Sequence, residues 1–397
     1  MSEKNLTHIA GMFVVQASGA FLNGAGLGIG EDRNVTIPKQ FSDWNSRKPY
    51  VSAQAWKRWL RNTLIEETGW PSSEIVAIGW NPKGNVEKIS SELNPVDFAE
   101  DDIFGYMRTE KNLGKAQQQE EAEDFDDEFK ESEETTKKVG VKTKAVMRAS
   151  PFLASLLVST RSKSWKGRDE GFVHVKRFDP DALAAAEKKR GSAIERPCTP
   201  LPYTTEFYNT NLQSVFCLNY SRLGVFQNMG DRIELDEALV EPFMREGKIC
   251  VIQDEGKIGQ VYEMTNAKEK RKERASALLK ALAVLRGGAK QAQFGTDTSP
   301  KVLIAAGLTC GNPIFNNLFA DNEGGIELRI TTLREVIRDY ADRFCTPALV
   351  GVRSGFLQNE DDVKELNDQS IKGNDAQVEI KVVTPLEAAR QLSDLLP

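Results

Sequence analysis

The chain has 397 residues, 40% hydrophobic and 28% charged, enough to bury a sizeable core. No apolar run reaches the about 20 residues of a membrane helix, the start MSEKNLTHIA lacks a signal-peptide pattern, and the five cysteines (Cys198, Cys217, Cys250, Cys310, Cys345) form no CxxC pair. A cytoplasmic location is therefore expected, with no membrane partner and neither a zinc ribbon nor a disulfide framework. The formal charge of -6 opposes a nucleic-acid partner only until its distribution is read: residues 120–134, EEAEDFDDEFKESEE, hold ten acidic side chains and one lysine, and the rest carries 48 acidic and 51 basic residues, a net of +3.

In chain order, residues 8–20, HIAGMFVVQASGA, predict a buried first strand. GAGLGIG at 24–30 fits neither a dinucleotide fingerprint nor a phosphate loop and predicts a flexible loop. Ser52 is placed to cap a helix in which Trp56, Trp59, Leu60, Thr63 and Leu64 form an apolar stripe, with Lys57, Arg58 and Arg61 on the other face. The acidic run and its flanks, 110–140, predict an extruded and mostly disordered loop. Residues 152–160 read as a strand, 206–223 as one or two more, and the stretch between them as a polar excursion. A helix over 268–286, with Ala275, Leu278, Leu279, Leu282 and Leu285 inward, stops at Gly287 and Gly288 and is followed by a strand at 301–308. The last 90 residues predict helical pieces, including 328–345 and 384–396, alternating with loops. Strand, helix, strands, helix and strand is the order of a βαββαβ core, an α+β fold of the ferredoxin-like or RRM-like kind widened by insertions.

Catalytic chemistry is poorly represented. Of two histidines, His8 opens an apolar strand and His174 sits in a polar hairpin, and no histidine or cysteine set has metal-ligand spacing. Asp101 and Asp102 offer paired carboxylates for a divalent ion, or a helix N-terminal cap. Positive charge at a helix N-terminus opposes the macrodipole, so Arg47 and Lys48 before Ser52, Lys57, Arg58 and Arg61 after it, and open N-terminal amides together describe a phosphate site; a solvated basic face is the alternative that charge alone leaves open. The two glycines of LRGGAKQA at 285–292 permit a close approach by another backbone, with a simple turn as the alternative.

Taken together, the first strand and FLNGAG, RNVTIPK followed by PYVSAQAWKRWLR, DIFGYMR, RASP, the TEFYNTNL strand and the helix ending in LRGGAKQA resemble the DevR-like branch of the Cas-seven group. These are the backbone subunits of type I CRISPR effector complexes (Cascade), here of a type I-B-like kind. The resemblance implies a single RRM-like palm over 1–397, a helical or finger insertion over 25–150 that includes the acidic loop, and a thumb hairpin at 163–203. It implies a non-catalytic subunit that oligomerises along crRNA and presents it for pairing with target DNA, with further copies of itself and other effector subunits as partners, and no cofactor or metal. Carried over onto this sequence, Ser52, Gln54, Lys57, Arg58 and Arg61 face the guide backbone, Arg33, Lys39, Arg47 and Lys48 assist, and Gly287, Gly288, Lys290 and Gln291 make a second contact. In the thumb, Phe172, His174 and Phe178 form an apolar wedge. The alternative is a type III-like, metal-dependent target-RNA endonuclease subunit, for which Asp32 lies in a comparable loop.

Overall fold

The computed structural model of the chain describes residues 5–28, 34–43, 46–80, 84, 86–108, 146–161, 165–196, 198–322 and 325–397; Asp32, Arg33 and the acidic loop lie outside them. The chain divides into two compact units, one comprising Met1–Gly69, Phe152–Ser221 and Lys272–Pro397, the other Trp70–Pro151 and Arg222–Arg271. The second unit thus draws on a segment, Arg222–Arg271, to which the sequence alone assigns no role.

Six elements form the centre of the fold: β1 (His8–Ala20), α1 (Ala53–Thr68), β2 (Leu157–Ser159), β3 (Leu201–Asn219), α2 (Ala267–Ala283) and β4 (Val302–Leu308). The strands lie in the order β4-β1-β3-β2 with every pairing antiparallel, as in Val14↔Val302, Val14↔Gln213 and Val158↔Gln213. This is the βαββαβ ferredoxin-like arrangement, an α+β, RRM-like palm with large insertions. Residues 206–223 belong mainly to one long strand, β3.

The apolar run at the start of β1 is buried on both faces, as a central strand covered on each side requires. On one face Phe13 meets Trp56 of α1 edge-on at 5.2 Å, and Trp56 in turn meets Phe152 at 5.8 Å. The five inward residues expected of α2, Ala275 to Leu285, are all buried. On the other face, alternate β1 residues Ala10, Met12 and Val14 join Val302 and Ile304 in a core closed by Phe315, Leu333 and Ile337.

The sheet continues past β4 through Ala348–Val352, then Ala376–Val383 and Ser370–Gly373, and past β2 through Ser46–Val51 and Gln40–Asp43. The C-terminal expectation needs correction here. The helices Ile330–Asp339 and Pro385–Asp394 fall inside the expected pieces, but three strands separate them where loops were expected. GAGLGIG also differs, since Gly24–Leu27 is a strand paired with Val35–Pro38.

In the second unit, DIFGYMR and RASP meet around a buried charge. Arg148 donates to the Asp102 carboxylate, to Glu234 Oε2 (3.4 Å) and to the Val225 and Arg222 carbonyls (2.8 and 2.9 Å). Its guanidinium also lies 4.9 Å from the Phe226 ring centre. Asp102 accepts the Gly224 N–H at 3.0 Å, and Glu234 accepts from Arg222 at 2.5 Å and from the Gln227 N–H at 2.9 Å. Asp101 takes the Ser73 hydroxyl at 3.0 Å and the Asn94 N–H at 3.2 Å. Neither aspartate caps its helix, Ala99–Phe104; both are buried acceptors. Among the described residues no group of three or more His, Cys, Asp or Glu is placed to hold a metal ion.

Removing one partner of such a network leaves an uncompensated buried charge. Arg148→Ala is therefore expected to cost about 3–5 kcal/mol in denaturant unfolding, and the double variant Asp102→Asn, Arg148→Met to cost less than Arg148→Ala. His8 supplies a pH test. Its Nδ1 lies 2.9 Å from Thr7 Oγ1, and burial lowers its pKa. The fold thus favours the neutral ring: its contribution is present above the unfolded value of about 6.5 and is lost as the pH falls through the lower folded value. His8→Gln should lose less melting temperature than the native chain between about pH 7 and pH 5.

Candidate nucleic-acid interface

The turn that follows β1 gathers the two sites expected from sequence. Phe21 and Leu22 are buried; the Leu22 carbonyl accepts the Ala289 N–H (2.9 Å), the Asn23 carbonyl accepts the Lys39 N–H (2.7 Å), and Asn23 Oδ1 accepts the Ser52 N–H (3.1 Å). Ser52 stands at the N-cap of α1, but its side chain makes no capping hydrogen bond, and the first turn contains no acidic residue. The positive end of a 16-residue helix is therefore not neutralised by its own sequence.

The basic residues around it divide into two kinds. Arg47, on strand Ser46–Val51, and Arg58, on α1, are exposed and have no carboxylate within ion-pair distance among the described residues; Gln54 is exposed beside them. Lys48 is paired with Asp43 at 2.5 Å. Lys57, expected on the outer face, differs: its Nζ donates to the Phe152 carbonyl at 3.2 Å, and burial lowers its pKa. Arg61 is half-buried, and Lys39 contributes backbone bonds, its carbonyl accepting the Tyr50 N–H at 3.1 Å.

The glycine turn after α2 packs against the same region. A Cβ on Gly287 would collide with the Trp59 indole, and one on Gly288, whose φ is +117°, with Leu22. The close approach that these glycines permit is thus to the chain's own side chains. Gln291 Nε2 donates to the Gly287 carbonyl, and Lys290 takes the left-handed conformation (φ 52°). Lys290 Nζ then lies 5.3 Å from the Phe21 ring centre and donates to buried Thr205 Oγ1 at 2.5 Å. Sequence reasoning missed Phe21, Asn23 and Thr205 as organisers of this surface; the FLNG motif after an apolar strand was the available signal.

The excursion expected at 163–203 contains the hairpin Trp165–Val173 paired with the start of β3, from Trp165↔Asn209 to Val173↔Leu201, and a helix, Pro180–Arg190, capped by Asp179. Phe172 and Phe178 are 65% and 46% exposed, and His174, just past the strand, is exposed. Three further apolar residues stand out beside them, Val173, Leu201 and Tyr203. Val173–Leu201 lies on one face of the ribbon and Phe172–Pro202 on the other, so both faces of this two-stranded extension are apolar and wet.

No family model and no curated protein matches the chain. Among solved structures it is similar to a chain described as "CRISPR RNA-guided surveillance complex, pre-nicking", at 10% identity, with 98% of this chain and 100% of that one covered and a TM-score of 0.52. A second is described as "CRISPR RNA-guided surveillance complex", at 11% identity, 88% and 90% coverage and a TM-score of 0.41. At such identities the first likeness shows the fold, over the full length of both chains.

Because Gly287 is packed under Trp59, Gly287→Ala is expected to cost about 1–3 kcal/mol through overpacking. Gly288→Ala should cost a similar amount, about 1–3 kcal/mol, through backbone strain. Thermal unfolding checks both.

Proposed function

We propose that the chain is a non-catalytic, guide-RNA-binding backbone subunit of a type I CRISPR surveillance complex, oligomerising along crRNA and presenting it for pairing with target DNA. The observation that carries this reading is the convergence, at one edge of an RRM-like palm, of an uncapped helix N-terminus, the exposed cations Arg47 and Arg58, and the Lys290 turn. Open amides and a helix dipole attract phosphate, and arginine forks hold it without reading a base. Such a grip suits a protein that leaves sequence recognition to Watson–Crick pairing. The resemblance of the sequence to the Cas-seven group and the full-length likeness in fold support the same reading. The exposed apolar ribbon at Phe172 and Leu201 serves as the thumb, its apolar surfaces covered by bases or by a neighbouring copy.

The test is a salt series of single-stranded RNA binding with several unrelated sequences. Arg47→Ala with Arg58→Ala should weaken all of them alike and reduce the slope of log K against log salt by about 0.7 for each phosphate no longer neutralised, whereas Lys57→Ala should leave that slope unchanged. Expression with the genomic neighbours should yield RNA of uniform length. A monomer free of nucleic acid, or regularly spaced cuts in complementary RNA with magnesium that Asp32→Ala abolishes, would overturn the proposal.

A further inference from the structure

A cleft of about 310 Å³ opens on the face of the palm opposite to α1. Its floor is Gln16, which shares a face of β1 with Met12 and Val14 and pairs with Asn211 of β3. Arg161, Lys301 and Arg353 line it together with Ile326 and Phe356. The size lies at the lower end of small-ligand sites.

The cations are held by the fold. Lys301 and Arg353 stand at neighbouring strand ends, where the Lys301 N–H bonds to the Val14 carbonyl and the Arg353 N–H to the Lys301 carbonyl, each at 2.8 Å. Arg161 is aimed by a buried carboxylate. Asp321 accepts the Thr160 hydroxyl at 2.5 Å and the Asn211 amide at 2.9 Å, and its other oxygen accepts Arg161 Nε at 3.1 Å. That bond uses only Nε, and the two terminal nitrogens of Arg161 have no hydrogen-bond partner among the described residues. Lys301 is paired with Asp297 at 2.5 Å. Two carboxylates thus face three cations, and Arg353, exposed and without a carboxylate in ion-pair range among the described residues, supplies the uncompensated charge.

We infer that this cleft is a second anion site, which takes a phosphodiester of single-stranded nucleic acid. A guanidinium fork matches phosphate oxygens in two parallel bonds, and the Phe356 and Ile326 wall suits the sugar or base attached to that phosphate better than a bare carboxylate. The inference rests on the nucleic-acid reading above and adds a binding point on the face of the sheet that α1 does not serve.

Fluorescence anisotropy of the full chain with labelled single-stranded RNA and DNA, over a salt series, tests it with Lys301→Ala plus Arg353→Ala beside the Arg47→Ala plus Arg58→Ala pair. Both cleft residues contribute backbone bonds that alanine retains, and thermal unfolding confirms the fold of each variant. The expected result is a loss of affinity for one or both strands and a salt slope lower by about 0.7 for each phosphate no longer neutralised, with partial rescue by Arg353→Lys. Unchanged binding in the cleft variant, with loss in the α1 variant, would overturn the cleft and leave the proposed function standing. Loss in the cleft variant alone would support the cleft and overturn the grip at α1. An acidic peptide whose binding is lost in the cleft variant, while RNA and DNA binding is not, would overturn the inference in favour of a protein partner.

Discussion

Everything on the proposed RNA-facing edge is positioned by the few polar groups that follow the buried strand β1. A chain leaving such a strand must satisfy its carbonyls and amides locally or bear the cost of desolvating them. Leu22 and Asn23 do so with three segments distant in sequence, through Ala289, Lys39 and Ser52. One turn thereby fixes the start of α1, the approach to the hairpin before it and the glycine turn after α2. The glycines follow from this: with Ala289 drawn onto Leu22, the preceding two residues pass under Trp59 and Leu22 where no Cβ fits. Lys290 is left in a strained conformation that holds its ammonium over Phe21.

Much of the centre was legible because it depends on periodicity. The stripe of Trp56, Leu60 and Leu64, the inward face of Leu278 and Leu282, and the apolar runs of β1 and β4 all record burial directly. What periodicity records poorly was missed. Ala348–Val352 is only five residues long, and its apolar run reads equally well as helix or strand; Gly24–Leu27 has no side-chain pattern strong enough to mark an edge strand. Arg222–Arg271 joins a unit whose other half lies at Trp70–Pro151, a pairing that no local signal announces. Lys57 shows the same limit on the scale of one side chain. Helical spacing assigns it to the outer face with Arg58 and Arg61, and only the arrival of the Phe152 carbonyl, 95 residues later, draws its ammonium group back against the protein.

The charge balance becomes intelligible once burial is taken into account. Net charge says little about a binding surface when carboxylates are consumed internally. Asp102 and Glu234 are buried around Arg148, and Asp321 is buried behind Arg161, so each serves as a structural acceptor. On the surface, Lys48 and Arg286 are matched by Asp43 and by Glu66 and Glu67, whereas Arg47, Arg58 and Arg353 have no carboxylate in ion-pair range among the described residues. These three are arginines. Their charge persists at any physiological pH, and their planar forks are weakly hydrated, so a phosphate displaces less bound water from them than from lysine ammonium groups. A formal charge of -6 is therefore compatible with the two anion sites proposed above, because much of the opposing charge lies in buried pairs and in a single acidic run.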